Sequence, residues 1–504
     1  MSEILLVGIN ARYTHSAIGL RYLKANLKEL QKDAEILEFV IGENAQSIAE
    51  QILLKEPEIV GIGVYIWNAI DVKNVIEVIK KVSPSTKIIL GGPEVSHQPF
   101  RVDFSDSDYI VQGEGEESFY ELCKDILDGV AISNRVIPAK IPKLKELQLP
   151  YELYTQSDID NRYIYVEASR GCPFECEFCL SAIDERVRLF DIEKVLSSFE
   201  TLWSRGARDF KFIDRTFNLN IKIANQIIDF FLEKDEQYSL HFEVIPDNFP
   251  QRLKDKIKKF PTHSLQLEIG IQTLNSDILH NINRVMDLKK VQENIKFLED
   301  ETNAHMHLDL IVGLPGETLE SFAINLNRLK KMTNSEIQIG ILKKLSGTTL
   351  SRHDEQHKML YSNIPPYDIL SNKDLSFIQI QKMKRFARFW DLLHNSGNFY
   401  SSISLLYKDG DVFRGFYDFS EWIFKQTAST WKISLNRMSE LLFNYLVDVL
   451  KEDKNEVAEA ILQDIIKVGG RSIPAHITKN AISDTKLNRT ANSKKRKRQE
   501  LRKN

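Results

Sequence analysis

Over the first 130 positions, apolar residues concentrate in short runs at 4–9, 34–40, 59–66 and 87–92. Between them, apolar positions recur three or four apart near 17–31, 44–54 and 70–82, the period of helices with one buried face. Strands that are apolar throughout, separated by such helices, predict a parallel sheet covered on both faces. Sheets of this kind take ligands beyond the carboxyl ends of their strands, so the loops at 10–16, 67–70 and 91–96 are the candidate binding loops.

From about 131 to 160 the chain is richer in Pro and Lys and lacks a clear period, which reads as a linker. Strand and helix patterns then alternate again, with strands expected at 163–167, 209–213, 240–245, 265–269, 307–312 and 336–341. Six such units make a partial barrel, whose chemistry belongs at the carboxyl ends of the strands. Beyond about 356 the pattern is helical, with an aromatic stripe that includes Phe386, Phe389, Trp390, Phe416, Phe419 and Trp422. Aromatics at helical spacing are read as core, and the region as a separate helical domain that could cover the barrel mouth. The expected class is therefore α/β. It comprises a doubly wound, Rossmann-like domain at 1–135, a linker at 136–160, a partial (β/α)6 barrel at 161–355, a helical C-terminal domain at 356–483 and a basic tail at 484–504.

Composition sharpens this outline in two places. A chain of 504 residues with 42% hydrophobic and 27% charged residues has the make-up of a soluble, multidomain protein. No apolar run reaches the length of a membrane span, and the first residues lack a basic n-region and cleavage site, so a cytoplasmic location away from membranes is expected. The net charge of −4 conceals a terminal block at 485–504 in which nine Lys or Arg face Glu500 alone, leaving the rest of the chain at −12. The run 494–498 has the charge to touch RNA, but a like-charge terminal block reads first as a solvated tail.

Candidate chemistry concentrates in the cysteines. Three of the four lie within eight residues as Cys172, Cys176 and Cys179, directly after the strand at 163–167. This is too few for a disulfide framework. Clustered thiolates select zinc or iron-sulfur chemistry, and a structural zinc would need a fourth ligand that no nearby Cys or His supplies. Three thiolates on a cubane cluster leave one iron open to a substrate. The fourth, Cys123, falls in a helical pattern and reads as a buried structural thiol.

The Cys-x3-Cys-x-Phe-Cys segment after a strand, preceded by Arg170-Gly171, resembles the signature of the radical SAM superfamily. The resemblance implies a [4Fe-4S] cluster on Cys172, Cys176 and Cys179, with S-adenosylmethionine (SAM) on the fourth iron and reductive cleavage to a 5′-deoxyadenosyl radical. It also implies an external electron donor of flavodoxin or ferredoxin type. Phe178 corresponds to the aromatic whose backbone meets the adenine. Asp214, in Phe212-Ile-Asp-Arg-Thr-Phe-Asn218, corresponds to a contact to the SAM amino group, although the common Gly-Gly-Glu is absent. Glu268 and Gln272 correspond to polar contacts on the fourth strand. Asp309 and Gly313 lie on the fifth strand, where the glycine admits the adenine.

The N-terminal domain resembles the cobalamin-binding domain that precedes some radical SAM cores, through Gly91-Gly92-Pro93 after the fourth strand and Gly113-Glu-Gly-Glu116 after the next. In methionine-synthase-type domains an Asp-x-His-x-x-Gly loop supplies the lower axial ligand. Here His15 has Tyr13 in place of that Asp and an extra residue before Gly19, so it is expected to cap the helix or contact a phosphate instead. Trp67 and Asn68 stand where a corrin face would be flanked. The function implied is a cobalamin-dependent radical SAM enzyme that methylates an unactivated carbon of an unidentified substrate. A ring-forming or rearranging enzyme of the same architecture, a tRNA-modifying enzyme and a non-catalytic iron-sulfur sensor are the alternatives. The tRNA methylthiotransferases carry a second three-cysteine cluster ahead of the core, where this chain has only Cys123.

Overall fold

The computed structural model describes residues 3–184, 186–407, 409–469 and 472–483. The basic tail lies outside the described residues. The chain forms two compact units. The first comprises Met1–Glu243 with Lys343–Arg352 and Tyr361–Asp368, and the second Val244–Leu342 with His353–Leu360 and Ile369–Asn504.

The first unit is built on β1 (Ile4–Asn10), β2 (Ala34–Val40), β3 (Ile59–Gly63), β4 (Lys87–Gly91), β5 (Tyr109–Gln112) and β6 (Val136–Pro138). All pair in parallel in the order β2-β1-β3-β4-β5-β6. Successive side chains of a strand face opposite ways, and β1 divides accordingly. Leu5, Val7 and Ile9 join a cluster with α2 (Ala45–Leu53) and α3 (Ala69–Val82). Ile4 and Leu6 join another with α1 (Ile18–Ala25) and α4 (Glu116–Leu127), where Cys123 is fully buried as expected. Each such buried Val, Leu or Ile contributes about 1.5–3 kcal/mol before conformational entropy is counted. The order reverses between β1 and β3, and that switch point is where doubly wound sheets bind ligands.

The stretch that reads as a linker is ordered. Val136 pairs with Ile110 and Ile137 with Val111, adding an edge strand where a proline is tolerated. Farther on, α5 (Gln156–Asn161) begins with a Thr155–Asp158 capping box. Asp158 also joins a buried ion cluster with Arg21, Glu38 and Arg162, which fixes this helix to the sheet domain. The period is invisible in the sequence because both elements are too short to show one.

The first unit continues with β7 (Ile164–Val166), then β8 (Ser169–Arg170) and β9 (Arg188–Leu189), which pair antiparallel around the cysteine loop. After α6 (Ile192–Ser204) comes β10 (Asp209–Phe212), and after α7 (Ile221–Leu232) comes β11 (Ser239–Val244); β10 lies parallel to both β7 and β11.

In the second unit β12 (Leu265–Gln272), β13 (His305–Val312) and β14 (Glu336–Ile341) are parallel in that order. Of these, β12 alternates strictly. On β12, Leu265, Leu267, Ile269 and Ile271 are buried, while Gln266, Glu268, Gly270 and Gln272 line the other, polar face. The helical region belongs to this same unit. The helix Phe377–Trp390 ends with a fully buried indole that donates to the Ile337 carbonyl on β14 at 2.9 Å, stacked on Phe386 and His394. No described helix is long and apolar enough to cross a membrane.

Candidate functional site

The cysteine loop is closed at its base by backbone contacts that explain the residues before it. Gly171 has φ of +90°, and a Cβ there would lie 2.4 Å from the Arg186 carbonyl oxygen. Only glycine fits. The Cys172 amide donates to the Asp184 carbonyl at 2.9 Å and the Cys179 amide to the Cys176 carbonyl at 3.0 Å. Cys172 and Cys176 are buried, Cys179 and Phe178 half-buried, and no disulfide joins any of them. Between them, buried Glu177 forms an ion pair with Arg352.

Charge holds this loop to the strand ends of the sheet domain. The Arg170 guanidinium lies 2.8 Å from Glu114, 2.7 Å from Glu116 and 2.8 Å from Glu167, and sits 4.7 Å over the Tyr22 ring. Arg188 pairs with the same Glu114 and, at 2.7 Å, with Asp184. The Gly113–Glu116 turn therefore grips the arginines on either side of the cysteines. Burial raises the Glu167 carboxyl above its ordinary range, and Arg170 partly offsets it.

Asp214 is buried beneath the loop. It accepts from the Ala168 amide at 3.0 Å and the Ser169 hydroxyl at 2.5 Å. Burial pushes its carboxyl up to about 7 even though those donors pull the other way. In this position Asp214 orders the backbone entering Arg170-Gly171-Cys172.

Two adjoining cavities open beside the loop, of about 290 and 580 Å³. The smaller is walled by Gly61, Gly91, Gly92, Gly113 and Gly115, with Tyr22, Phe119 and Arg170. The larger is lined by His15, Tyr65, Trp67, Tyr165, Ser169 and Arg170. They share Ile18, Tyr65, Glu114, Glu167, Arg170 and Ile213. Both lie at the switch point of the sheet.

The sequence-derived candidates fall unevenly around these cavities. Gly91 is open, the nearest atom to a Cβ there being 3.7 Å away, whereas Gly92, at φ +103°, would drive a Cβ to 2.6 Å from the Val64 carbonyl oxygen. Gly92 is thus required by the fold's own backbone. Pro93 opens the short turn Pro93–Val95. Trp67 is half-exposed and stacks on Tyr65 at 4.4 Å. Asn68, by contrast, is fully buried. It accepts from the Tyr65 amide and donates to the Ile9 and Gly63 carbonyls, so it locks strand ends together. His15 Nδ1 lies 2.5 Å from the Tyr165 hydroxyl, and burial, Lys211 and Arg12 lower its pKa, keeping the ring neutral near pH 7.

In the second unit, Glu268 and Gln272 share the polar face of β12, with Gln272 at φ +67° beside the bulge at Gly270. Asp309 pairs in register with Gly270. Gly313 follows β13 at φ +92°, its carbonyl accepting from Asn372. Just beyond, buried Glu317 accepts from Thr273 and Asn325, and burial raises its carboxyl to about 8. Sequence reading passed over Glu114, Glu116 and Glu167, the partners of Arg170, and Arg188, which shares Glu114. Their one signal was the position of two of them in the Gly-Glu-Gly-Glu turn.

Known proteins resemble this chain region by region. The B12 binding domain family matches residues 4–123, the radical SAM superfamily residues 166–329, and a protein family of unknown function, DUF4080, residues 355–504. An uncharacterized methyltransferase of Pyrococcus horikoshii is 25% identical over 405 residues, covering 74% of this chain and 87% of that protein. The cobalamin-dependent radical SAM methyltransferase TokK of Streptomyces tokunonensis is 26% identical over 341 residues, covering 59% of this chain. The chain spans about half of TokK, 48% of its length. The solved structure of the cobalamin-dependent S-adenosylmethionine radical enzyme OxsB, with aqua-cobalamin and S-adenosylmethionine bound, aligns with a TM-score of 0.60. It covers 92% of this chain and 78% of that one at 14% identity, a likeness of fold.

The residues present suit the groups these families bind. Three clustered thiols on a backbone-closed loop suit a cubane with one open iron. A cavity walled by seven glycines, at the switch point of a doubly wound sheet, suits the tail of a bulky planar cofactor. A stacked Tyr65–Trp67 pair at the rim of the larger cavity offers a flat apolar face.

Proposed function

Because the chain belongs to the B12-binding radical SAM proteins, we propose that it is a cobalamin-dependent methyltransferase acting on an unactivated carbon. The carrying observation is the ion network in which Glu114, from the glycine-rich turn, meets Arg170 and Arg188 at the base of the cysteine loop. It sets the cluster loop beside the cavity that would hold the corrin.

When bound, the cluster and SAM supply one-electron cleavage to a carbon radical, and the corrin supplies methyl transfer. The protein's part is binding and placement. Cys172, Cys176 and Cys179 would hold the cluster, while Asp214 and Arg170 fix the loop that carries them. Gly61, Gly91, Gly113 and Gly115 let the cofactor approach the strand ends, and Trp67 flanks it. A neutral His15, held by Tyr165, adds no positive charge to the cavity wall. The backbone at Phe178 would meet the adenine, as the family resemblance implies. The reductant is an external donor of flavodoxin or ferredoxin type. A second three-cysteine cluster of the methylthiotransferase kind has no place here, because the sheet domain carries Cys123 alone and buries it.

The test is anaerobic reconstitution with iron, sulfide and hydroxocobalamin, followed by dithionite and SAM labelled in its methyl group. Retained corrin bands, 5′-deoxyadenosine and label in a product from a small-molecule extract are expected. The variant with Cys172, Cys176 and Cys179 all changed to Ala should form no 5′-deoxyadenosine. Absence of 5′-deoxyadenosine from the parent protein would overturn the radical reading, and an unlabelled, rearranged product would overturn methylation.

A further inference from the structure

On the polar face of the second unit, His305, His307 and Glu336 place ligand atoms within 4.8 Å of one another, the one such His/Cys/Asp/Glu group among the described residues. The strand register makes this grouping. His305 and His307 are two apart on β13 and so share a face, and Glu336 begins β14 directly opposite His307. From these three side chains we propose a mononuclear zinc site, distinct from the iron-sulfur site and independent of the functional reading above.

The distances approach those around one metal ion, the histidines meeting different oxygens of Glu336 and all three ligand atoms lying within 4.8 Å. Bonds of about 2.0–2.2 Å from a tetrahedral zinc to nitrogen and oxygen place neighbouring ligand atoms about 3.3–3.5 Å apart. His305 Nε2 lies 3.3 Å from Glu336 Oε1, and His307 Nε2 lies 3.5 Å from Glu336 Oε2. The imidazoles meet edge to face with centroids 4.8 Å apart, so both can turn a nitrogen toward one point. Two histidines and a carboxylate leave the fourth position for water, an all-nitrogen-and-oxygen set that imidazole-preferring metals take.

The surroundings supply what a metal-bound histidine needs. Its second nitrogen is normally held by a hydrogen bond that fixes the ring. The Gln338 side chain lies 2.7 Å from His307 Nδ1 and that of Gln266 lies 3.3 Å from it. When Nε2 binds zinc, Nδ1 carries the proton and donates it to an amide oxygen, which a rotation of either glutamine presents. Glu336 and His305 are buried and His307 is partly open, so the ion has a route in and a dry setting once there. His305 lies about 25 Å along the strand from Gly313, at the amino ends where barrel residues serve stability. The proposed site therefore bridges β13 and β14 through three protein ligands, with water completing its coordination.

The experiment uses tag-free, cluster-reconstituted full-length protein equilibrated with zinc alone. Metal analysis should find about one zinc per chain, and X-ray absorption should find it bound by nitrogen and oxygen only. Changing His305 and His307 together to Ala should abolish it. The near-isosteric E336Q should weaken zinc at least about tenfold, and Gln338→Ala about 10- to 100-fold, both with unchanged circular dichroism. Zinc coordinated by sulfur, no zinc in the parent protein, or equal zinc affinity in E336Q would each overturn the proposal.

Discussion

Arg170 answers to three carboxylates, and its loss leaves Glu114, Glu116 and Glu167 crowded in a buried setting. Removing one partner from a buried ion network costs about 3–5 kcal/mol. Arg170→Ala should lower the urea midpoint accordingly and cut the iron retained after reconstitution. Arg170→Lys should recover only part of both, since an ammonium lacks the planar fork. Asp214 gives a pH test. Its carboxyl titrates near 7 in the fold against 3.8 unfolded, so between these values the native state holds a proton that the unfolded chain has released. Stability then falls as pH rises through that window, by at most about 4 kcal/mol. In Asp214→Asn, urea unfolding measured from pH 4.5 to 7.5 should show a shallower fall than in the parent. At this scale the cysteines and glycines were legible because their chemistry is local. The partners of Arg170 were not, since Glu114 lies 56 residues away.

Among the elements, the strands of the sheet domain were legible because strands covered on both faces must be apolar throughout. The segment 131–160 was not. A three-residue edge strand and a six-residue helix hold too few positions to establish a period, and their stability comes from Ile110, Val111 and Arg21 elsewhere. The turn after β4 joins local and distant demands. Gly92→Ala places a methyl 2.6 Å from the Val64 carbonyl at a positive φ, so it should destabilise the fold by more than about 1 kcal/mol. At Gly91 the same substitution meets nothing closer than 3.7 Å. Thermal unfolding of the two cofactor-free variants should therefore separate them, with Gly92→Ala much the weaker. Equal melting temperatures would refute the backbone explanation.

For the molecule as a whole, the helical region was legible as helices with an aromatic core, and its attachment was not. Trp390 is fully buried with its indole on the Ile337 carbonyl, and Asn395 bonds the same residue, so these helices share a unit with β14. Trp390→Ala should cost about 3–5 kcal/mol. It should also expose β14 and the helices to protease together, where an independent helical domain would survive as a fragment. By itself the sequence determined the order of α/β, barrel-type and helical regions, the cysteine cluster and the glycine turns. Periodicity and motif spacing are properties of neighbouring residues. Tertiary structure alone decided that the Gly-Glu-Gly-Glu turn holds the arginines of the cysteine loop, that Gly92 is demanded by Val64, and that two histidines and a glutamate converge across β13 and β14. Each of these rests on strand register or on contacts between distant segments, and hydrophobic pattern carries no record of which distant residues meet.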